Sequence, residues 1–420
     1  CINPSSVSTS RTTAAAAIAS GLPPNVDPCV PGVIADPMPV RNRLAQLKTE
    51  ISEWRQDIHR NPELRFELPK TISKVTSLLS EFGVDEIHEN IGQAGIVAVI
   101  HGRQTSSNKV IGFRADMDAL PITEISDLDY KSSEVGKMHA CGHDGHTSIL
   151  LGAAKYLTET RNFNGTVVLA FQPAEEGGGG ARAMVDDGLM DRWQINEIYG
   201  LHNMPNLPVG SFAIRHGPLM AASDFFEINV KGQGGHGALP HKAKDTTLAT
   251  AAIILALQQI TSREIPALES AVISVTGIQT DTLAHNVIPD SARITGTARF
   301  LKKSVQANVV ERMRDVVEGT ARVYGCNANF DYEYCVDVTE NENRCTDHAI
   351  QAAIAVAGSD QVETDIDPLM GGEDFSEMLK ARPGAFIFLG NGESAMLVCI
   401  TTQSKSLISC LICLTSYLVK

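Results

Sequence analysis

The order in which strand-like and helix-like segments follow one another constrains the fold of this chain more than any other feature. From about residue 41, apolar residues recur every three or four positions, as they do in an amphipathic helix. Short runs rich in β-branched residues then alternate with helical stretches. This alternation is typical of an α/β fold, so we predict an α/β domain with a central, mostly parallel sheet and helices on its faces.

A different order of elements interrupts this pattern between residues 222 and 335. There we predict strand, helix, strand, strand, helix and strand, the order of a ferredoxin-like α+β sandwich. The strict alternation of Phe330, Tyr332 and Tyr334 indicates its last strand. We therefore predict that residues 222–335 form a domain inserted into the first, which comprises residues 41–221 and 336–420. The length of 420 residues agrees with two domains, since single cores stop growing at about 250–300 residues.

Composition excludes several classes of protein. The chain has 35 lysine and arginine residues against 49 aspartate and glutamate residues, a formal charge of −14. Because such a charge repels phosphate groups and anionic lipid, we expect no nucleic-acid partner and no membrane partner. No apolar stretch is long enough to cross a bilayer, so we predict a soluble protein.

Cysteine usage and the first 40 residues bear on the compartment. Nine cysteines without a repeating spacing favour a reduced compartment, which predicts the cytoplasm. Residues 1–40 are rich in Ser, Thr, Ala and Pro and have no acidic residue before Asp27. Disordered leaders and transit peptides share this composition, so we predict a disordered leader and keep an organelle as the alternative location.

Residue types that bind metals cluster where predicted strands end. In MHACGHDGH, Cys141 and His143 are two positions apart and can converge on a metal, although a glycine-rich turn with a buried cysteine is the alternative. In FQPAEEGGGG, Glu175 and Glu176 follow a strand, so one can bind a metal and the other can act as a general base. A solvated surface pair is the alternative for these two glutamates.

Further polar residues follow other predicted elements. His202, in GLHN, ends another strand and is either a ligand or a core histidine. Asp116 follows a strand in FRADMDALP, where a carboxylate can hold a ligand histidine by its second nitrogen. In the inserted block, His236 and Asn286 are either donors to a developing oxyanion or ordinary loop residues.

Six motifs in this order resemble the di-metal aminoacylase and carboxypeptidase family: MHACGHDGH, FQPAEEG, GLHN, GGHGALPH, NVIPD and MGGEDF. They span about residues 41–392, and the most similar branch contains hippurate hydrolase and the auxin-conjugate (IAA-amino acid) amidohydrolases. The resemblance implies an enzyme that cleaves the amide bond of small N-acyl amino acids with two divalent metal ions, Zn²⁺, Mn²⁺ or Co²⁺. A dipeptidase or carboxypeptidase of the same family is the alternative.

The resemblance also implies roles for individual residues. It implies four metal ligands: Cys141, which bridges the ions, and His143, Glu176 and His202. It implies three groups that act on the substrate: Glu175 as the general base, and His236 and Asn286 from the inserted domain. Asp116 corresponds to a residue that contacts a metal ligand and does not itself bind the metal. The inserted block corresponds to a dimerisation (lid) domain, which implies a homodimer in which His236 often serves the partner subunit's site.

The chain departs from the family near its end. Family members have one more ligand histidine after the GNG segment, whereas this chain has no histidine after His348, and residues 395–420 do not resemble the family ending. We therefore predict a weakened second metal site. A shifted reading frame and substitute ligands among Cys399, Cys410 and Cys413 are two explanations. An inactive, dimerising homologue is the corresponding alternative function.

Overall fold

The structure, a computed structural model, describes residues 37–392, with side chains from residue 42 onward. The predicted leader lies outside the described residues, except that residues 37–40 begin the first helix. The atypical segment 395–420 and its three cysteines also lie outside the described residues.

Helices and strands alternate along most of the described chain. The α-helices are α1 Pro37–Arg60, α2 Pro69–Phe82, α3 His143–Thr160, α4 Gly180–Asp186, α5 Leu189–Arg192, α6 Thr246–Gln259, α7 Lys303–Val323, α8 Asn343–Ala357 and α9 Ser376–Ala381. The strands are β1 Glu86–Ile91, β2 Gly95–His101, β3 Val110–Asp116, β4 Thr166–Gln172, β5 Glu197–Met204, β6 Phe212–Ala213, β7 Gly217–Met220, β8 Ala222–Lys231, β9 Gly235–His236, β10 Ala271–Thr280, β11 Val287–Ile288, β12 Ser291–Phe300, β13 Asn327–Val336, β14 Thr339–Asn341, β15 Val362–Glu363 and β16 Gly384–Gly390.

The larger sheet has eight strands in the order β1-β2-β4-β3-β5-β16-β6-β15. Its middle strands β4, β3, β5 and β16 are mutually parallel neighbours, and the antiparallel pairs lie toward the two edges. Side chains of α1, α2, α3 and α8 pack against one face, and side chains of α4, α5 and α9 against the other. Strands β3, β4 and β16 are almost entirely buried, as expected for strands covered on both faces. The predicted α/β domain with a mostly parallel sheet is confirmed.

The helical periodicity explains how α1 packs. The predicted apolar stripe includes Leu44, Leu47 and Trp54, which are at most 5% exposed. Helix α3 begins at His143. The residue before it, Gly142, has a φ of 93°, a left-handed conformation that glycine adopts readily. As a result, Cys141 and His143 lie on either side of the glycine that precedes the helix.

The second sheet is antiparallel and has the order β10-β12-β8-β13. Helices α6 and α7 pack against it around the fully buried side chains of Ile253 and Met313. The predicted order of a ferredoxin-like sandwich is therefore confirmed, and its strands run from Ala222 to Val336. The domain boundaries at residues 222 and 335 stay a prediction. Between residues 37 and 392, no helix is both long and apolar enough to cross a membrane.

Candidate metal centre

The carboxyl ends of neighbouring parallel strands lie at one edge of the larger sheet, and they bring the predicted site residues together. Strand β3 lies between β4 and β5, and Asp116 is its last residue. Potential ligand atoms of Cys141, His143 and His202 lie within 4.8 Å of one another. Those of His143, Glu175 and Glu176 form a second such group. The crevice at the carboxyl edge of an α/β sheet is where such folds bind ligands.

Cys141 and His202 face each other at one side of this site. The Cys141 Sγ atom lies 3.3 Å from His202 Nε2. His202 Nδ1 lies 2.5 Å from the Asn203 carbonyl oxygen, to which it donates, so Nε2 carries the lone pair. Burial and the neighbouring His146 lower the pKa of His202 to about 3, which keeps the imidazole neutral. A thiolate and an imidazole on one zinc ion lie about 3.5 Å apart, so this pair fits a metal ion.

His143 gives the clearest indication that this site suits a cation. The side chain is 0% exposed, and both of its ring nitrogens lack a hydrogen-bond partner. The nearest carboxylate oxygens belong to Asp116 and Asp118, each 3.6 Å from a ring nitrogen. A buried polar group without a partner costs about 1–3 kcal/mol, and a metal ion bound to one nitrogen removes that cost. The donor set therefore fits divalent metal ions.

Asp118 fixes the backbone that carries the two glutamates, a role the sequence analysis missed. Its carboxylate accepts hydrogen bonds from the amide of Glu175, at 2.9 Å, and from the amide of Glu176, at 3.1 Å. The preceding residue, Ala174, has a φ of 53°, a left-handed conformation that is uncommon outside glycine. The fully buried Asp118 thus holds a tight turn from which the two carboxylates extend.

Arg114 joins the site to the MGGEDF segment, to whose acidic residues the sequence analysis assigned no catalytic role. The buried guanidinium donates to Glu373 at 2.9 Å and Asp374 at 3.1 Å, and it pairs with Asp116 at 2.8 Å. The carboxylates of Glu175, Glu373 and Asp374 lie within 4.8 Å of one another. Burial and these two acidic neighbours raise the pKa of Glu175 well above its usual value. An arginine inside an otherwise apolar strand was the signal available in the sequence.

Asp116 contacts two histidines, and its shorter contact is with His146 and not with the predicted ligand His143. The distance from Asp116 Oδ1 to His146 Nδ1 is 2.6 Å. His146 Nε2 in turn accepts a hydrogen bond from the Asn203 amide at 3.0 Å. The Asn203 side chain donates to the Cys141 carbonyl at 2.7 Å. His146 therefore connects three segments of the site, and its position three residues after His143 in the helix was the signal for it.

His236 and Asn286 lie together on the inserted domain, but not with the metal-binding group. Strands β9 and β11 pair His236 with Val287, and the Gly237 amide donates to the Asn286 carbonyl at 2.7 Å. Both side chains are exposed. Among the hydrogen bonds and ion pairs of residues 42–392, none joins either residue to the site around Cys141.

Comparison with known proteins gives a consistent result. The sequence profile of Peptidase family M20/M25/M40 matches residues 112–402. Hippurate hydrolase of Campylobacter jejuni is 41% identical over 348 residues, which cover 83% of this chain and 90% of the relative. IAA-amino acid hydrolase ILR1-like 4 of Arabidopsis thaliana is 39% identical, with 82% of this chain and 78% of the relative covered.

A solved structure extends the likeness to the fold. A dinuclear metal-binding peptidase of the M20 family from Bacillus subtilis superposes with a TM-score of 0.74 at 34% identity. The superposition covers 89% of this chain and 99% of that one. The predicted resemblance to hippurate hydrolase and the IAA-amino acid hydrolases is confirmed, and the matched family is one of peptidases, enzymes that hydrolyse amide bonds. The chain belongs to Peptidase family M20/M25/M40.

Proposed function

We propose that this protein is a metal-dependent amidohydrolase that cleaves the amide bond of N-acyl amino acids. The observation that carries the proposal is the fully buried His143, whose two unpartnered nitrogens lie among a thiol, a second imidazole and carboxylates. The relatives supply the substrate class, because hippurate is N-benzoylglycine and the plant relative is named for conjugates of an acid with an amino acid. A small-molecule substrate of this kind has one acyl group, one amide bond and one free carboxylate.

Four side chains would hold the metal: Cys141, His143, Glu176 and His202. A thiolate, two imidazoles and a carboxylate suit borderline ions, so we expect Zn²⁺, Mn²⁺ or Co²⁺. When two such ions are bound, they lower the pKa of water and polarise the substrate carbonyl. Asp116 and Asp118 would orient His143, since each lies 3.6 Å from one of its ring nitrogens.

Glu175 is the proposed general base. Its Oε2 atom lies 3.9 Å from His143 Nε2, so its carboxylate borders the proposed ligands without belonging to them. A carboxylate in this place takes a proton from the attacking water and returns it to the leaving amine. The acidic neighbours Glu373 and Asp374 favour the protonated form of Glu175, which suits the second of these steps. Asp118 keeps the carboxylate in place through the Glu175 amide.

The inserted domain would complete the site from a second subunit. We propose a homodimer in which His236 and Asn286 donate hydrogen bonds to the oxygen on which negative charge develops. Both residues are exposed, His236 in the two-stranded sheet of β9 and β11 and Asn286 directly before β11, and they make no hydrogen bond to the described site of their own chain. Light scattering during size-exclusion chromatography tests the dimer, and a strict monomer would contradict this role for His236.

Two adjacent isosteric variants test the division of roles between the glutamates. Glu175→Gln should keep the bound metal and lower kcat on N-benzoylglycine by about 10²–10⁴-fold, because it removes only the proton acceptor. Glu176→Gln should lose metal, as measured by elemental analysis, because it removes a ligand. Each variant serves as the control for the other, since both lie on the turn held by Asp118.

Several outcomes would contradict the proposal. Folded wild-type protein supplied with Zn²⁺, Mn²⁺ or Co²⁺ that hydrolyses no N-acyl amino acid would exclude the activity. One bound ion or none would favour the inactive homologue that the missing final histidine suggests. Faster hydrolysis of dipeptides with a free amino terminus would favour a dipeptidase, and faster release of the carboxyl-terminal residue from longer peptides would favour a carboxypeptidase.

A further inference from the structure

A second buried polar cluster lies behind the start of helix α3, and the proposed chemistry does not use it. Its centre is His59, a residue of α1 whose side chain is 0% exposed. The Nδ1 atom lies 3.0 Å from Asp144 Oδ2, and Nε2 lies 3.3 Å from Glu124 Oε2. Each ring nitrogen therefore faces a carboxylate. Both carboxylates are buried, with side-chain exposures of 1% and 2%.

This arrangement requires two N–H donors on His59, which only the protonated imidazole provides. A neutral ring would turn a lone pair toward one of the two carboxylates. Burial lowers the pKa of His59, but the hydrogen bonds and charges of Asp144 and Glu124 outweigh burial, so the pKa is raised above its ordinary value. The imidazolium is thus the form that the surrounding groups stabilise.

The other groups around the ring agree with this charge state. Arg55 donates to Asp144 at 3.2 Å, and its guanidinium lies 4.9 Å from the centre of the Tyr130 ring. Tyr130 approaches His59 edge-on at 5.7 Å. The ring of His139 lies 6.3 Å away, and burial lowers the pKa of His139 to about 4, so it is uncharged. Two carboxylates are therefore balanced by one guanidinium and one imidazolium.

The two carboxylates come from different segments, and both segments lead to the metal-binding residues. Asp144 directly follows His143 in α3. Glu124 belongs to residues 121–137, which we name the connecting loop because they join Asp118 to the segment that carries Cys141. The loop has no regular secondary structure. It is closed at its base by two backbone hydrogen bonds of 3.0 Å between Leu120 and Met138.

We propose that His59 is a positioning residue that acts as a buried imidazolium, holding the connecting loop against the start of α3 and thereby fixing the segments that carry Cys141 and His143. The loop contact stands on its own, whereas the effect on activity rests on the proposed function. As the pH rises through the pKa of His59, the imidazole loses its proton and the loop loses this attachment. The attachment is therefore complete at low pH and is lost at high pH.

Trypsin gives a direct measure of the loop attachment, because Lys131 is an exposed residue of the connecting loop. We compare the wild type with His59→Gln, which cannot be protonated, and with His88→Gln as the control. His88 is a half-buried residue of β1, and its side chain, 39% exposed, pairs with Glu86 at 2.8 Å. At pH 6, His59→Gln should be cleaved after Lys131 about tenfold faster than the wild type, and His88→Gln should match the wild type. Between pH 6 and pH 10 the ratio should fall toward one as wild-type His59 deprotonates.

A second variant keeps the test valid if His59→Gln does not fold. Glu124→Gln changes only the loop side of the cluster and leaves the Asp144 pair intact, so it should also be cleaved faster at pH 6. Equal cleavage of folded variants and wild type at every pH would overturn the inference. So would a ratio that does not change with pH.

Activity supplies the readout that separates this inference from the proposed function. With metal and N-benzoylglycine, kcat/KM of the wild type should fall at high pH, whereas that of His59→Gln should be low throughout and lack this titration. If the wild type hydrolyses no substrate but the cleavage pattern holds, the proposed function fails and the role of His59 stands. If the wild type is active but His59→Gln is cleaved like the wild type at every pH, the proposed function stands and the role of His59 fails.

Discussion

Replacing Gly142 with alanine tests whether the start of α3 is as tightly constrained as its geometry indicates. Gly142 has a φ of 93°, and a Cβ atom added there would lie 2.3 Å from Asn203 Nδ2. A carbon atom and a nitrogen atom that are not bonded to each other do not approach this closely, so the Asn203 side chain has to move. It would then lose its hydrogen bond to the Cys141 carbonyl and its contact with His146 Nε2, which are 2.7 and 2.9 Å long.

The expected cost follows from these contacts. A left-handed backbone conformation costs an alanine about 1–2 kcal/mol. Two lost hydrogen bonds add about 1 kcal/mol each, which gives a total of about 3–4 kcal/mol. Gly136→Ala is the matched control, because Gly136 has a φ of 82° and an added Cβ would meet no atom within 4 Å. The control should cost only the conformational part, about 1–2 kcal/mol.

Urea unfolding followed by tryptophan fluorescence measures the free energy of unfolding of both variants and reports on the domain that contains the larger sheet. The protein has two tryptophans, Trp54 in α1 and Trp193 just after α5, and both pack with the larger sheet. Gly142→Ala should therefore be less stable than Gly136→Ala by about 2 kcal/mol. Equal free energies of unfolding for the two variants would contradict this prediction, since the clash with Asn203 is what distinguishes them.

Three further predictions are also tested by urea unfolding. Adding a divalent metal ion at 100 times its Kd to chelator-treated protein should raise the free energy of unfolding by about 2.7 kcal/mol, and no change would mean that no site exists. Met313 is fully buried in the core of the inserted domain, so Met313→Ala should lower the free energy of unfolding measured by far-ultraviolet circular dichroism by about 2–5 kcal/mol. An equal shift of the unfolding midpoint in tryptophan fluorescence would show that the two sheets unfold together. Asp85 accepts a hydrogen bond from the His101 amide and pairs with Arg161 at 2.6 Å. These contacts outweigh burial and lower the pKa of Asp85. Asp85→Asn should therefore lower the free energy of unfolding by about 1 kcal/mol at pH 7, and by less as the pH falls below about 4. A loss of stability that does not change with pH would contradict this prediction.

The long elements of this fold were predictable because their burial repeats along the sequence. The three- and four-residue spacing of Leu44, Leu47 and Trp54 predicts the buried face of α1. Strands β6 and β15 have two residues each, which is too short for any period to be visible. Strand β16 is buried along its whole length, so it lacks the alternation that marks a half-buried strand.

The residue types of the candidate site were predictable, but their supporting contacts were not. Cys141 and His143 stand out because cysteine and histidine close together are rare outside metal sites and tight turns. The partners of Arg114 could not be inferred in this way, because Glu373 is 259 positions away and the pair forms only when β3 and the segment before α9 meet. The same holds for His59 and Asp144, which are 85 positions apart. Local sequence shows which side chains are polar and buried, whereas the fold decides which of them meet.

Strand β16 has a consequence for how the protein is made. It lies between β5 and β6, in the interior of the larger sheet, although it comes last among the described strands. During synthesis, the edges of β5 and β6 therefore remain unpaired until residues 384–390 have left the ribosome. The four strands β10, β12, β8 and β13 are complete much earlier, so this sandwich can form while the larger sheet still exposes open strand edges to chaperones and to other nascent chains.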